Sequence, residues 1–379
     1  MRLRILAMLA SLISTSAVAA PATACGQPGQ WLVPAAAQAE PIRQASLLAR
    51  MARQQVVLLG EAHDSAEDHR WQLHTLTQLH AQQPQMAIGF EMFPRRVQPA
   101  LDQWVAGALS EDEFLQRAEW EKVWGFDAQL YLPLFHFARM NRIPMLALNV
   151  ERSLIEAVGK QGWEAVPEAQ KEGVSRPAAP TAAYREELRA VFDHHPAKDR
   201  GEAAFPRFVE AQTLWDRAMA QVMAEHLQKT SGALVVGIMG AGHVRNGHGV
   251  AHQLKDLGIG QVGTLLTWDR AESCANLGKG FADALYLVEQ PKTNPPRLGV
   301  ATEQDKDGLR ITSVTAGSIA ESSGLKSGDV IFEVAGQPAK SIMTLRAAVQ
   351  RQAPGTWLPL KIRRGSSELE IVARFPAGS

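Results

Sequence analysis

Four hydrophobic runs along the chain each stop at a residue able to bind or ionise. The run 56–59 leads into Gly60, Glu61, Ala62 and His63, and the run 86–90 leads into Glu91. The run 143–148 leads into Asn149, and the run 234–239 leads into Gly240, Ala241, Gly242 and His243. Short apolar runs separated by helix-length amphipathic stretches predict parallel strands of an α/β sheet flanked by helices. In such sheets ligands bind beyond the carboxyl ends of the strands. The pattern therefore gathers two Gly-x-x-His motifs and two glutamates on one rim.

The same reading extends through about residue 290. A helix is expected over 64–83, with acids at its start and Trp71, Leu76 and Leu79 on its apolar side. After Asn149 a long helical region is broken by Pro167, Pro177, Pro180 and Pro196. Residues 205–227 carry the strongest helical stripe (Phe208, Trp215, Met219, Val222), read as core, with a cofactor role for Trp215 or Met219 as the alternative. Residues 263–268 and 284–288 read as two closing strands. The polar, proline-rich stretch 291–296 reads as a stiff linker. Beyond it the texture changes to short strands near 298–300, 309–314, 330–334, 358–362 and 368–375, with one helix near 344–352. This marks a small β-rich unit over 297–376, behind an α/β domain over 31–290.

Composition adds boundaries. The 379 residues are 46% hydrophobic and 21% charged with formal net charge +0, enough chain for two or three domains. A neutral balance gives no electrostatic reason to expect nucleic acid as a partner. Arg2 and Arg4 precede an apolar stretch over 5–13 and then small residues, so 1–24 reads as a cleaved export signal. No other long apolar segment follows, which predicts a soluble or lipid-tethered mature protein. A competing reading makes residues 22–25 a lipoprotein box with Cys25 acylated. The chain has 2 cysteines, Cys25 and Cys274. In an oxidising compartment they suggest a disulfide, the alternative being a buried, unpaired Cys274.

The rim residues permit more than one chemistry. Glu61 and His63 can project from the first strand-to-helix turn. Asp64, Glu67 and Asp68 read as helix N-terminal charges. Glu91, set between apolar neighbours, needs a metal, a histidine or an arginine beside it, with Arg95 or Arg96 as a structural alternative. His63 and His243 with the two carboxylates (Glu61 and Glu91 being the catalytic candidates) could hold zinc or manganese and activate water. The same histidines could offer a nitrogen to haem iron, and Tyr131 is a third candidate ligand. Trp120, Trp124, Phe126 and Phe135 would suit a flat apolar pocket or an ordinary core. Arg245 could meet an anionic ligand group such as a propionate. His248 stands open between site and surface, and His252 reads as surface. The chain lacks Cys-x-x-Cys-His, His-Glu-x-x-His and Gly-x-Ser-x-Gly, which removes covalent haem attachment and the main support for zincin or serine hydrolase readings.

At these motifs the chain resembles the ChaN-like haem-binding family of the Tiki, TraB and erythromycin-esterase-like superfamily. The resemblance is carried by residues 59–63, 90–92, 147–149 and 240–243 and covers about 56–288. It implies that Gly60, Glu61, His63, Glu91, Gly240 and His243 occupy signature positions. It further implies haem or an iron chelate as ligand, iron acquisition, and a periplasmic or envelope location. Family haem coordination is expected to use a tyrosine and a nearby histidine, for which Tyr131 is chosen here, with Asn149 and Arg245 as further contacts. A haem held between two copies is a further reading. The C-terminal unit resembles a bacterial PDZ domain through residues 298–300, 317–320 and 324–331. That implies an envelope protein's C-terminal peptide added as a strand, its carboxylate at Leu298, Gly299 and Val300, with the helix near 345–349 as the other wall. The alternative function is a metal-dependent peptidase or esterase on the same rim.

Overall fold

The computed structural model describes residues 25–35, 39–194, 201–274, 277–290 and 296–377. The expected export signal, Pro196 and all of the linker except Pro296 lie outside these residues.

The first unit is an eight-stranded sheet. Its strands are β1 (Trp31–Val33), β2 (Glu40–Ile42), β3 (Val56–Glu61), β4 (Met86–Pro94), β5 (Met145–Asn149), β6 (Leu234–Gly240), β7 (Val262–Asp269) and β8 (Ala284–Val288), in the order β2-β1-β8-β7-β3-β6-β4-β5. Strands β3 to β8 pair in parallel, and only β1 and β2 run antiparallel at one edge. Strands β3, β4 and β6 are buried along their whole length. Both faces of the sheet are therefore covered, which is why these strands read as continuous apolar runs instead of alternating ones.

Helices close both faces. The helix Ala66–Gln82 starts at Ser65, whose hydroxyl accepts the Asp68 N–H, and it packs on the Ala128–Met140 helix. On the other face lies Phe205–Lys229, which extends the expected helix by two residues and packs against Arg152–Gln161, Val250–Asp256 and β5. Its stripe is mixed. Met219 is fully buried and Phe208 nearly so, but Trp215 is only half-buried. Cys25 and Cys274 form a disulfide with Cα atoms 5.5 Å apart, beside Leu32 and Leu287. The same sulfur cannot also carry a lipid. Among the described residues no helix is long and apolar enough to cross a membrane.

The second unit is a six-stranded antiparallel sheet: β9 (Val300–Asp305), β10 (Gly308–Val314), β11 (Val330–Val334), β12 (Gln337–Pro338), β13 (Trp357–Arg364) and β14 (Ser367–Arg374). The order is β14-β13-β11-β10-β9, with β12 on β11, so β9 is an edge strand. The helix Ile342–Gln350 packs beside β9. Leu298 is buried, and Gly299 has φ 86° with Ser318 in the space a side chain would need. Only glycine fits that turn readily. The expected strand over 298–300 is thus a loop up to Val300, where β9 begins.

Candidate functional site

The carboxyl ends of β3 and β6 lie side by side, with Glu61 opposite Gly240 in register. Here the two Gly-x-x-His motifs explain each other. A side chain on Gly240 would place its Cβ 3.0 Å from His63 Cε1, and one on Gly60 would place it 2.2 Å from Leu266 Cδ2 of β7 and 3.0 Å from Ala241 Cα. Each glycine makes room for the other strand's motif. Glu91 Oε2 lies 3.6 Å from the same point beside Gly240, so His63, Glu91 and the β6 turn meet at one place.

Glu61 is buried beneath His63. It lies 2.9 Å from His63 Nδ1 and accepts from Gln72 Nε2 at 2.8 Å and from the Tyr131 hydroxyl at 2.5 Å. Burial disfavours its charge, but the bond to His63, the nearby His69 and the Tyr131 hydroxyl outweigh that and hold its pKa below the usual range. Burial also works against a protonated His63, while Glu61 and Glu91 prevail and raise its pKa. With Nδ1 tied to Glu61, the Nε2 edge is the one left to a ligand. Trp124 and Phe126 stand 4.6 and 5.3 Å from the ring, and the His63 side chain is 29% exposed.

His243 is deeper. Its Nδ1 lies 2.7 Å from Asp216 Oδ1 and its Nε2 3.6 Å from Glu91 Oε1. The other Asp216 oxygen accepts from Tyr184 at 2.7 Å. Burial opposes its charge, yet Glu91 and Asp216 together lift its pKa to about 9, with Arg245 pulling slightly the other way. Glu91 Oε2 accepts the Gly240 N–H at 2.6 Å. Its partners are therefore a backbone amide and His243, while Arg95 bonds the carbonyls of Glu172 and Ala218 and Arg96 pairs with Glu119 and Glu151.

Several expected roles change. Tyr131 is fully buried. Burial, then the Glu61 charge, pushes its pKa well up, and its proton serves Glu61, so it is a brace beneath the rim and not an open ligand. Tyr184 is sealed on Asp216, and Tyr286 sits on β8 against Trp31. Asn149 spends its amide on two backbone bonds, donating to Glu91 O and accepting from Val150 N. Asp68 is more than a helix-end charge: it is buried, accepts from Ala62 N at 2.8 Å, and so fixes the 60–63 turn. Trp215 is not remote core, because its ring lies 5.3 Å from His243 and its indole N–H has no acceptor among the described residues. His248 bonds Glu187, and His252 bonds Ala179 O. Arg245 is exposed. Among the described residues no group of three or more His, Cys, Asp and Glu side chains is arranged to hold a metal ion. His63 and His243 each commit Nδ1 to a carboxylate instead.

The motif reading missed Asp216, Tyr184, Gln72 and His69. The only available signal was Asp216 inside an apolar helical stripe, where an unpaired charge is costly.

The sequence profile described as haem-binding uptake, Tiki superfamily, ChaN matches residues 47–254, and the PDZ domain profile matches 296–373. A solved structure of ChaN of Campylobacter jejuni, described as binding haem cofacially, shares the fold with TM-score 0.54. It is 18% identical over 68% of this chain and 96% of that one. Serine protease PepD of Mycobacterium tuberculosis is 31% identical over 115 residues, 27% of this chain and 25% of that protein. A probable periplasmic serine endoprotease of DegP type from Chlamydia muridarum is 40% identical over 73 residues, 18% of this chain and 15% of that protein. The chain thus spans no more than a quarter of the length of these curated relatives.

Proposed function

Because this chain belongs to the haem-binding uptake family of the Tiki superfamily typified by ChaN, we propose that its rim binds haem in the cell envelope and serves iron acquisition, while the PDZ domain holds the C-terminal peptide of an envelope partner. The observation that carries the reading is His63. Its Nδ1 is fixed by a buried carboxylate at 2.9 Å, its ring is flanked by Trp124 and Phe126, and its side chain stays 29% exposed. A metal-binding histidine is commonly oriented this way by a carboxylate on its second nitrogen. The aromatic flank suits a flat apolar macrocycle. The exposed Arg245 suits a propionate. The residues present therefore fit haem, with His63 as the nitrogen ligand and with Tyr131 acting through Glu61. Haem would supply the iron; the protein orients the imidazole and shields the ring.

The envelope assignment rests on the expected export signal, the disulfide and the periplasmic DegP-type relative. In the PDZ domain the peptide carboxylate would meet the loop of Leu298, Gly299 and Val300, and the peptide would lengthen the sheet at β9.

Titration of the full chain with haemin tests the haem reading. A shifted Soret band is expected. His63→Ala should abolish the saturable shift, and Glu61→Gln should weaken binding about 10–100-fold. A wild-type spectrum identical to that of free haemin overturns the reading.

A further inference from the structure

The helix Ile342–Gln350 presents different faces to different partners. Leu345 and Val349 enter the PDZ core beside Val300, and Ile342 stands 45% exposed at the start of the helix. This side walls the peptide groove. About a quarter-turn or more around the helix, Met343 and Thr344 meet the first domain. Met343 Cγ lies 3.8 Å from the Cβ position of Gly125, and the Thr344 hydroxyl donates to Glu121 Oε1 at 3.2 Å. Just past the helix end, Arg351 pairs with Asp127 at 3.1 Å. Met343 and Arg351 are two four-residue steps apart and so share a face.

The segment they touch is the one that covers His63. Residues 119–127 contain the short helix Trp120–Val123, then Trp124 and Phe126 on the imidazole. Two left-handed residues, Glu119 at φ 51° and Gly125 at φ 79°, interrupt it. Asp127 caps the Ala128–Met140 helix by accepting the Gln129 N–H at 3.0 Å. That helix carries Tyr131 to Glu61. The groove wall is therefore two contacts from His63 by one route and from Glu61 by another.

We propose that the PDZ groove is an effector site for the rim. A peptide with a free C-terminal carboxylate, seated between β9 and the Ile342–Gln350 helix, shifts that helix against residues 119–127 and so changes the cover on His63 and the affinity for haem. The proposal rests on the haem and peptide readings above. It names a docked and a released state of one segment as the element both ligands bias. The coupling is reciprocal, so haem alters peptide affinity by the same factor.

The test uses the full chain. The probe is a fluorescein-labelled ten-residue peptide ending in a free-carboxylate valine, with its C-terminal amide as control. Saturating probe should change haemin affinity by about fivefold or more and alter hydrogen exchange of the 119–131 amides, and the amide should do neither. Arg351→Glu, at an exposed site, should leave probe binding by anisotropy intact and remove both responses. Thr344→Ala should reduce them. An exchange response in a protein that fails to bind haemin supports the coupling and rejects the haem reading alone. The proposal is overturned if bound probe leaves exchange and haemin affinity unchanged, if Arg351→Glu retains both responses, or if the probe does not bind the groove.

Discussion

A histidine with a carboxylate near each ring nitrogen is a cation held by its neighbours. His243 has Asp216 at 2.7 Å and Glu91 at 3.6 Å. Its folded pKa is raised from 6.5 to about 9 despite burial. The stability this contributes is full below the unfolded pKa of 6.5 and is lost as pH rises through about 9. Urea unfolding of the wild type should therefore show stability falling between pH 6.5 and pH 9. Asp216→Asn should flatten that slope and cost about 3 kcal/mol or more at pH 6; an unchanged slope would refute the assignment. Glu61, His63, Glu91 and His243 were legible because each follows an apolar run at a strand end. Asp216 and Gln72 were not, because a lone polar residue inside a helix does not reveal what it faces. Tyr131 was noticed for its rarity and misplaced for the same reason: nothing local marks whether a hydroxyl points outward or onto a buried carboxylate.

Among the elements, the parallel strands were readable because burial on both faces leaves uninterrupted apolar text. The antiparallel pair β1 and β2 was not, since each has only three residues and pairing with β8 is a long-range event. Mid-strand glycines carry a further requirement. A Cβ on Gly89 of β4 would lie 2.7, 2.9 and 3.0 Å from three atoms of the fully buried Leu148 of β5. Gly89→Val should overpack this strand pair and cost about 1–3 kcal/mol, measurable by chemical denaturation. A neutral result would show that Leu148 can move aside. Trp215, read first as core, brings its helix against the rim through its contact with His243.

Over the whole molecule, the disulfide closes a separation of 249 residues and ties the start of the described chain to the turn between β7 and β8. Such a closure restricts the unfolded state, so Cys274→Ser should lower stability by about 2–4 kcal/mol. Equal midpoints for mutant and wild type under non-reducing conditions would count against the bond. The change in texture near residue 296 was visible in the sequence; the contacts of Thr344 and Arg351 with residues 121 and 127 were not, because surface pairs between domains leave no periodic trace. An unpaired strand that welcomes a guest also invites its twin. Strand β9 carries Glu303 and Asp305 toward its far end. Asp305 is paired with Arg310, so the exposed Glu303 is the charge along this edge that discourages stacking with a second copy.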